Sequence, residues 1–243
     1  MSRSLTDAKG GTLRLAELYV SRQGEGLLTG TDSVFVRISG CNLRCWFCDT
    51  PYASWHPEGD QQSIDHIVDE ILKKKRHHVV VTGGEPMLHR GIVPLCEQLS
   101  AAGLHVTMET AGTVIQPVFC DLMSISPKLT GSGPRPNTTS KKWMLQHESR
   151  RWNVEVVGEL LSRASDFQLK FVVDEPGELE EVESMIGQID RNVDDNKVWI
   201  MPQSRSDAEL DRHEVWLRPW CESRGFRYCD RLHIRWYGNC RGT

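Results

Sequence analysis

Cys41, Cys45 and Cys48 fall within eight positions of the chain, in the stretch SGCNLRCWFCDTP. The spacing C-x3-C-x2-C puts three soft thiolate donors on one loop, and closely spaced thiolates hold either an iron–sulfur cluster or zinc. A cubane cluster can take three such corners and leave its fourth iron to an outside ligand. Structural zinc wants four protein ligands, so it would have to recruit a distant histidine or Cys120. The spacing favours a cluster and leaves zinc open. Cys96, Cys120, Cys221, Cys229 and Cys240 are scattered, with no second C-x2-C pair, and read as buried or idle thiols.

Two further short stretches carry polar chemistry. In VVVTGGEPML, Gly83-Gly84-Glu85-Pro86 follows a β-branched run directly. Two glycines let a ligand approach the backbone, and the carbonyls and Glu85 can accept hydrogen bonds from an ammonium group. The same four residues also make an ordinary turn. Ser126-Pro127-Lys128 closes the run DLMSIS, either as a strand-ending turn or as part of the same site.

The elements that must position these residues alternate between strand and helix. Apolar, β-branched runs begin at 33 (SVFVRIS), 77 (HHVVVTG), 104 (LHVTMET), 121 (DLMSIS), 167 (FQLKFVVD) and 197 (KVWIMPQ). Ile64, Ile67, Val68, Ile71 and Leu72 recur at helical spacing over 63–75, with Ser63 as N-cap and Lys73, Lys74 and Lys75 at the negative end of the dipole. Further helices are predicted near 90–102, 152–164, 177–189 and 207–224. Strands apolar on both faces and joined by helices mean a parallel sheet covered by helices. Six or seven such units are too few for a closed eight-unit barrel, so the fold class is α/β, a partial, open TIM-like barrel. Chemistry then belongs at the C-terminal strand ends, where all three stretches fall.

With 243 residues the chain reads as one domain, since single cores reach roughly 250 residues. A polar tail is expected over 1–11, and irregular segments over 40–62 and 129–151, the latter a lid-like surface loop. The net charge of −4 offers no general attraction to nucleic acid. No apolar run approaches the roughly 20 residues of a membrane span, and MSRSLTDAKGG lacks a secretory signal, so a cytoplasmic location is expected.

The cysteine loop, with aromatic Phe47 before the last cysteine, resembles the signature of the radical S-adenosylmethionine superfamily. That resemblance implies a [4Fe–4S] cluster on Cys41, Cys45 and Cys48, its open iron chelated by S-adenosylmethionine, which is cleaved to a 5′-deoxyadenosyl radical. It also implies a partial (β/α)6 barrel, in agreement with the strand count. More narrowly, SRQGEGLLTGTDSVFVRISGCNLRCWFCDT, GGEP, SPK, the LKFVV strand and the ending HIRWYGNCRGT are similar to the 7-carboxy-7-deazaguanine synthase family across essentially the whole chain. This family contracts the ring of 6-carboxy-5,6,7,8-tetrahydropterin with loss of ammonia, toward queuosine and other 7-deazapurines.

The family resemblance implies the remaining roles. Arg22, Gln23, Gly24, Glu25, Arg37, Thr82 and Thr243 are implied to bind substrate. Gln23 and Glu25 suit a polar pterin edge, and Arg37 suits a carboxylate unless it is a surface ion pair. Phe47, Cys48, Asp49, Gly83, Gly84, Glu85, Ser126, Pro127, Lys128, Gln168 and Lys170 are implied to contact S-adenosylmethionine. Thr50 is implied to hold Mg2+, a cation that keeps few protein ligands. The resemblance further implies a donor such as flavodoxin or ferredoxin, and a homodimer. Two alternatives stand beside it: an activase of a glycyl-radical enzyme using the same three cysteines, and a zinc-binding structural module.

Overall fold

The computed structural model describes residues 11–189 and 193–243. All of the expected polar tail except Gly11 therefore lies outside the described residues. In chain order the elements are β1 (Thr12–Arg22), β2 (Asp32–Ile38), α1 (Pro51–Ser54), β3 (Asp60–Ser63), α2 (Ile64–Lys73), β4 (His78–Gly83), α3 (Ile92–Ala101), β5 (His105–Thr110) and β6 (Leu122–Ile125). There follow α4 (Lys141–Arg150), α5 (Val154–Arg163), β7 (Phe167–Val173), α6 (Leu179–Gly187), β8 (Val198–Pro202), α7 (Asp207–Arg224), β9 (Arg227–Tyr228) and α8 (Leu232–Tyr237).

The strands form one sheet in the order β3-β1-β2-β4-β5-β6-β7-β8-β9. From β2 to β9 every pairing is parallel, whereas β1 runs antiparallel to both β2 and β3. The two edges do not pair, so the sheet is an open barrel of six full parallel strands, β2 and β4 to β8.

The pleat decides which side chains reach the interior. Val34, Val36 and Ile38 of β2 join one contiguous core with Val79, Val81, Val106, Met108, Leu169 and Phe171. The alternate residues, Phe35, Arg37, Val80, Thr82, Glu109, Lys170 and Val172, face the concave side instead. Each polar group of the interior is thus one residue away from a core anchor, which fixes its side of the sheet.

Sequence periodicity located these six strands and five helices, and missed others for identifiable reasons. β1 carries a register shift between Leu15 and Glu17 that breaks the period of two. The expected irregular loop over 129–151 contains α4. Its N-cap is Ser140, whose side chain accepts from the Trp143 amide, and its inner face is Trp143, Met144 and buried His147, too polar a stripe to stand out. No described helix is long and apolar enough to cross a membrane.

Candidate active site

A cavity of about 500 Å³ opens at the C-terminal ends of the parallel strands. Cys41, Cys45, Phe47, Cys48, Asp49 and Thr50 form one wall, immediately after β2. Arg22 at the end of β1, Gln23, Gly24 and Glu25 of the turn that follows, and Arg37 and Thr82 line the same cavity. Gly83, Gly84, Ser126, Lys128 and Lys170 complete the ring of strand ends. Gly242 and Thr243 fold over the cavity from the chain's last residues.

All eight cysteines are free thiols. Burial pushes the thiols of Cys41 and Cys45 up to about 12, so unaided they stay protonated. Metal binding reverses this, because a coordinated thiol gives up its proton. The Cys41 sulfur accepts the Leu43 amide at 3.3 Å, and the Cys48 sulfur lies 3.1 Å from Ser54 Oγ, contacts of the kind that stabilise ligated sulfur. Among the described residues no three His, Cys, Asp or Glu side chains converge on a single ion. Three thiols on one loop supply three corners of a cubane cluster and one donor too few for a structural zinc site.

The cysteine loop is gripped from behind by the 129–150 segment. His147 Nδ1 accepts the Arg44 amide at 3.0 Å, and the Trp46 amide donates to Ser132 O at 3.1 Å. Trp46 Nε1 donates to Gly131 O at 3.0 Å, and the Arg44 guanidinium lies 3.7 Å from the centre of the Trp143 ring.

GGEP acts differently from a bare ligand cradle. A Cβ on Gly84 would lie 2.4 Å from Gly40 O and 2.5 Å from Ala53 O, so the glycine seats this turn against the cysteine loop. Glu85 does not reach the cavity. It is fully buried, and its carboxylate accepts from Met87 N, Thr110 Oγ1 and Ala111 N, tying the end of β4 to that of β5. Burial holds its carboxyl above the ordinary range. Pro127 also lies off the cavity, while Lys128 Nζ folds back onto Ser126 O and Oγ at 2.6 and 2.7 Å.

Gln168 is likewise beneath the site rather than in it. Its amide accepts from Leu27 N at 2.8 Å and donates to Ser124 Oγ at 2.8 Å, and Ser124 donates to Glu109 at 3.0 Å. Gly26 has φ +72°, and a Cβ there would meet the Gln168 amide at 2.5 Å. The second glycine of Q-G-E-G therefore lets the turn settle on the barrel floor.

An ionic network crosses that floor. Lys170, 4% exposed, donates to Glu25 at 2.7 Å and to Glu109 at 3.2 Å. Arg231 contacts Glu25 at 3.4 Å and donates to Asp49. Burial alone would raise the Glu25 carboxyl, but Lys170 and Arg231 override it and hold it far below the usual carboxylate range. The network leaves Glu25 an ionised acceptor, and Asp49 is already neutralised by Arg231.

Arg37 is an ion pair that still faces the cavity. Its Nε donates to Glu17 at 3.0 Å and its Nη2 to Tyr19 OH at 3.0 Å. Nη1 and one Nη2 hydrogen have no partner among the described residues, which leaves an end free to fork onto a carboxylate. Arg22 is more committed, its guanidinium 4.3 Å from the Trp236 ring centre and its Nε donating to Tyr237 OH at 3.2 Å.

Sequence reasoning missed several lining residues. Tyr19 and Phe35 stack at 5.1 Å as a flat aromatic wall beside Arg37. Tyr52, Glu109, Arg231 and His233 also line the cavity. The period-two alternation of β2 could have found Phe35, which shares a face with Arg37. Arg231 sits in an unpatterned turn and gave no local signal.

Known proteins resemble this chain at three levels. The Radical SAM superfamily matches residues 35–174. The 7-carboxy-7-deazaguanine synthase of Rhodopirellula baltica is 50% identical over 236 residues, covering 97% of this chain and 91% of that protein. The enzyme of the same name from Halobacterium salinarum is 42% identical over 242 residues, covering 96% and 94%. Among solved structures, QueE from Escherichia coli superposes with a TM-score of 0.66 at 21% identity, covering 90% of this chain and 93% of that one, a likeness of fold.

Proposed function

The chain belongs to the 7-carboxy-7-deazaguanine synthase family within the radical S-adenosylmethionine superfamily, and from that premise we propose how its cavity works. The chain is a radical S-adenosylmethionine lyase that makes 7-carboxy-7-deazaguanine from 6-carboxy-5,6,7,8-tetrahydropterin with loss of ammonia, a step toward queuosine and other 7-deazapurines. One observation carries the assignment of the cavity: the three cysteines, the Gln23–Glu25 turn and Arg37 all line the same cavity.

Cys41, Cys45 and Cys48 would hold the [4Fe–4S] cluster, with Phe47, Gly84, Ser126 and Lys128 beside S-adenosylmethionine. When bound, these two groups supply the radical that takes a hydrogen atom from the substrate. Everything else falls to side chains that bind and orient. The ionised Glu25 accepts from pterin N–H groups, and Gln23 contributes a donor and an acceptor to the same edge. Arg37 forks onto the substrate carboxylate, pre-oriented by Glu17 and Tyr19 so that little freedom is lost on binding. The Tyr19–Phe35 wall supports the flat ring.

Closure comes from the last residues. Arg241 donates to Glu17 at 2.6 Å and to Glu58 at 3.0 Å while lying 3.8 Å from the Tyr52 ring centre. That anchor holds Gly242 and Thr243 against the cavity.

Mg2+ belongs to the same proposal. Thr50 lines the cavity, and its neighbour Asp49 is occupied by Arg231. A cation at Thr50 would therefore draw its other ligands from substrate and water. A flavodoxin or ferredoxin donor, a homodimer and a cytoplasmic location rest on the family resemblance.

The test is anaerobic reconstitution followed by turnover with the pterin, S-adenosylmethionine, Mg2+ and dithionite. Formation of 7-carboxy-7-deazaguanine is the expected result. Cleavage of S-adenosylmethionine without that product would overturn the substrate assignment and leave the superfamily chemistry standing.

A further inference from the structure

We propose that Tyr19 is a second donor of the carboxylate subsite. Its phenol O–H meets the carboxylate that Arg37 forks onto, and the two together select a 6-carboxylated pterin over an uncharged counterpart. This role rests on the lyase reading of the cavity, and it falls to a residue that no motif of the sequence singled out.

The subsite is a two-by-two block on neighbouring strands. β1 and β2 run antiparallel with Glu17 opposite Arg37 and Tyr19 opposite Phe35, in the register that follows the shift between Leu15 and Glu17. Residues two apart on a strand share a face, so the two cross-strand pairs lie side by side. Tyr19, Phe35 and Arg37 line the cavity, whereas Glu17, its side chain 9% exposed, does not. A diagonal bond ties the block together, Arg37 Nη2 donating to the Tyr19 hydroxyl at 3.0 Å. The Tyr19 ring stacks on Phe35 at 5.1 Å with 8° between the planes, which holds the hydroxyl in place beside the guanidinium.

The hydrogens separate the two phenols of the cavity. Tyr52 spends its only one on Glu17 at 2.8 Å. Tyr19 accepts from Arg37, and its own hydrogen has no acceptor among the described residues. That single donor is left for a ligand in the cavity its ring lines. The bond received from Arg37 polarises the O–H and strengthens it as a donor. Burial raises the Tyr19 hydroxyl above the ordinary phenol range, with Arg37 opposing, so the hydrogen stays in place at neutral pH.

Charge gives the second donor its importance. Arg37 already donates Nε to Glu17 at 3.0 Å, so its positive charge is partly matched before any substrate arrives. Its pull on another carboxylate is weakened accordingly, and recognition falls to donors at contact distance. The free Nη hydrogens of Arg37 and the Tyr19 O–H suffice for both oxygens of one carboxylate. An uncharged substituent at the same position accepts fewer and weaker bonds from them.

The test is calorimetry on reconstituted holoenzyme with S-adenosylmethionine and Mg2+ but no reductant, so that the pterin binds without turning over. Two ligands are compared, 6-carboxy-5,6,7,8-tetrahydropterin and 6-hydroxymethyl-5,6,7,8-tetrahydropterin. The variant is Tyr19→Phe, which keeps the stacked ring and removes only the hydroxyl. It should bind the carboxylated pterin at least ~10-fold more weakly than wild type, the loss of one hydrogen bond to a charged acceptor. The hydroxymethyl pterin and S-adenosylmethionine should bind as they do to wild type. Undiminished binding of the carboxylated pterin, or an equal loss for both pterins, would overturn the role of Tyr19. A wild-type enzyme that binds neither pterin, or both equally, would instead overturn the functional reading beneath it.

Discussion

His147 accepts the backbone N–H of Arg44 through Nδ1 at 3.0 Å. Its Nε2 meets Ser132 Oγ at 3.0 Å, and that hydroxyl donates onward to Leu129 O, so the network assigns the ring proton to Nε2. Burial pushes the imidazole down to about 4, which keeps it neutral and Nδ1 free to accept. His147→Phe leaves the Arg44 amide without a partner, at a stability loss of about 1–3 kcal/mol. The cysteine loop should loosen, and the reconstituted cluster should bleach in air several-fold faster. An unchanged bleaching rate would show that the loop holds its shape without this contact.

Lys170 sits between Glu25 and Glu109 with both carboxylates within 3.2 Å. Lys170→Met strands two acids on the barrel floor, and removing one member of a buried ion pair costs about 3–5 kcal/mol. Thermal unfolding should show that loss, and pterin binding should weaken with it. A variant as stable as wild type would mean that Arg231 alone neutralises Glu25.

Glu17 gathers three donors: Arg37 at 3.0 Å, Tyr52 at 2.8 Å and Arg241 at 2.6 Å. Burial would raise its carboxyl, but these bonds prevail and hold it below the ordinary range. Glu17→Ala frees both Arg37, proposed to bind the substrate carboxylate, and Arg241, which anchors the residues proposed to close the cavity. The KM for the pterin should rise at least ~10-fold, about 1.4 kcal/mol, while the Kd for S-adenosylmethionine stays unchanged. A parallel loss of both would point to general unfolding of the cavity wall.

Stability should depend on pH through His78. Its ring lies between Ser33 Oγ at 2.6 Å and Thr107 Oγ1 at 2.8 Å. Burial first, and His105 second, push it down to about 4, with Asp121 opposing. The folded state therefore prefers the neutral ring. Its contribution is fully present above the ordinary histidine value of about 6.5 and is lost as pH falls toward 4, by at most about 3 kcal/mol. Denaturant melts across this window should show the decline, and His78→Gln should make it shallower, the remainder belonging to His147, whose ring is pushed down to about 4 as well. An equally steep curve in the variant would place the titration elsewhere.

Two hydroxyls line the cavity beside Cys48: that of Ser54 is turned onto Cys48 Sγ and Thr50 O, and that of Thr50 is the one proposed to hold Mg2+, since Arg231 occupies Asp49. Thr50→Ala should abolish most of the stimulation of product formation by Mg2+ while leaving the Kd for S-adenosylmethionine near wild type. A Mg2+ titration identical to wild type would refute that role.

Much of this site could be read in short stretches. Cys41, Cys45 and Cys48 announced their chemistry by spacing, and β-branched runs such as VVVTG announced their strands. Glu85 shows the opposite case. GGEP was legible as a site element, yet its carboxylate turned away from the cavity to accept from Thr110 and Ala111, a choice made by the neighbouring strand. Gln168 was placed by β7 one level too deep to reach the cavity. The 129–151 segment read as irregular because its helix buries a single histidine, with Trp143 and Met144 half-buried beside it, rather than an aliphatic stripe.

The sequence by itself determined the donor atoms of the cysteine loop, the six parallel strands and the side of the sheet on which catalysis must lie. These follow from ligand spacing and from pleat and helix periods, which are properties of neighbouring residues. Only the tertiary structure decided which charges meet. Glu25 finds Lys170 across 145 positions and Arg231 across 206, Arg44 finds His147 across 103, and Glu17 finds Arg241 across 224. The physical reason is that an ion pair or amide contact in a buried cavity is set by how strands and loops close in space, and no local pattern records that closure.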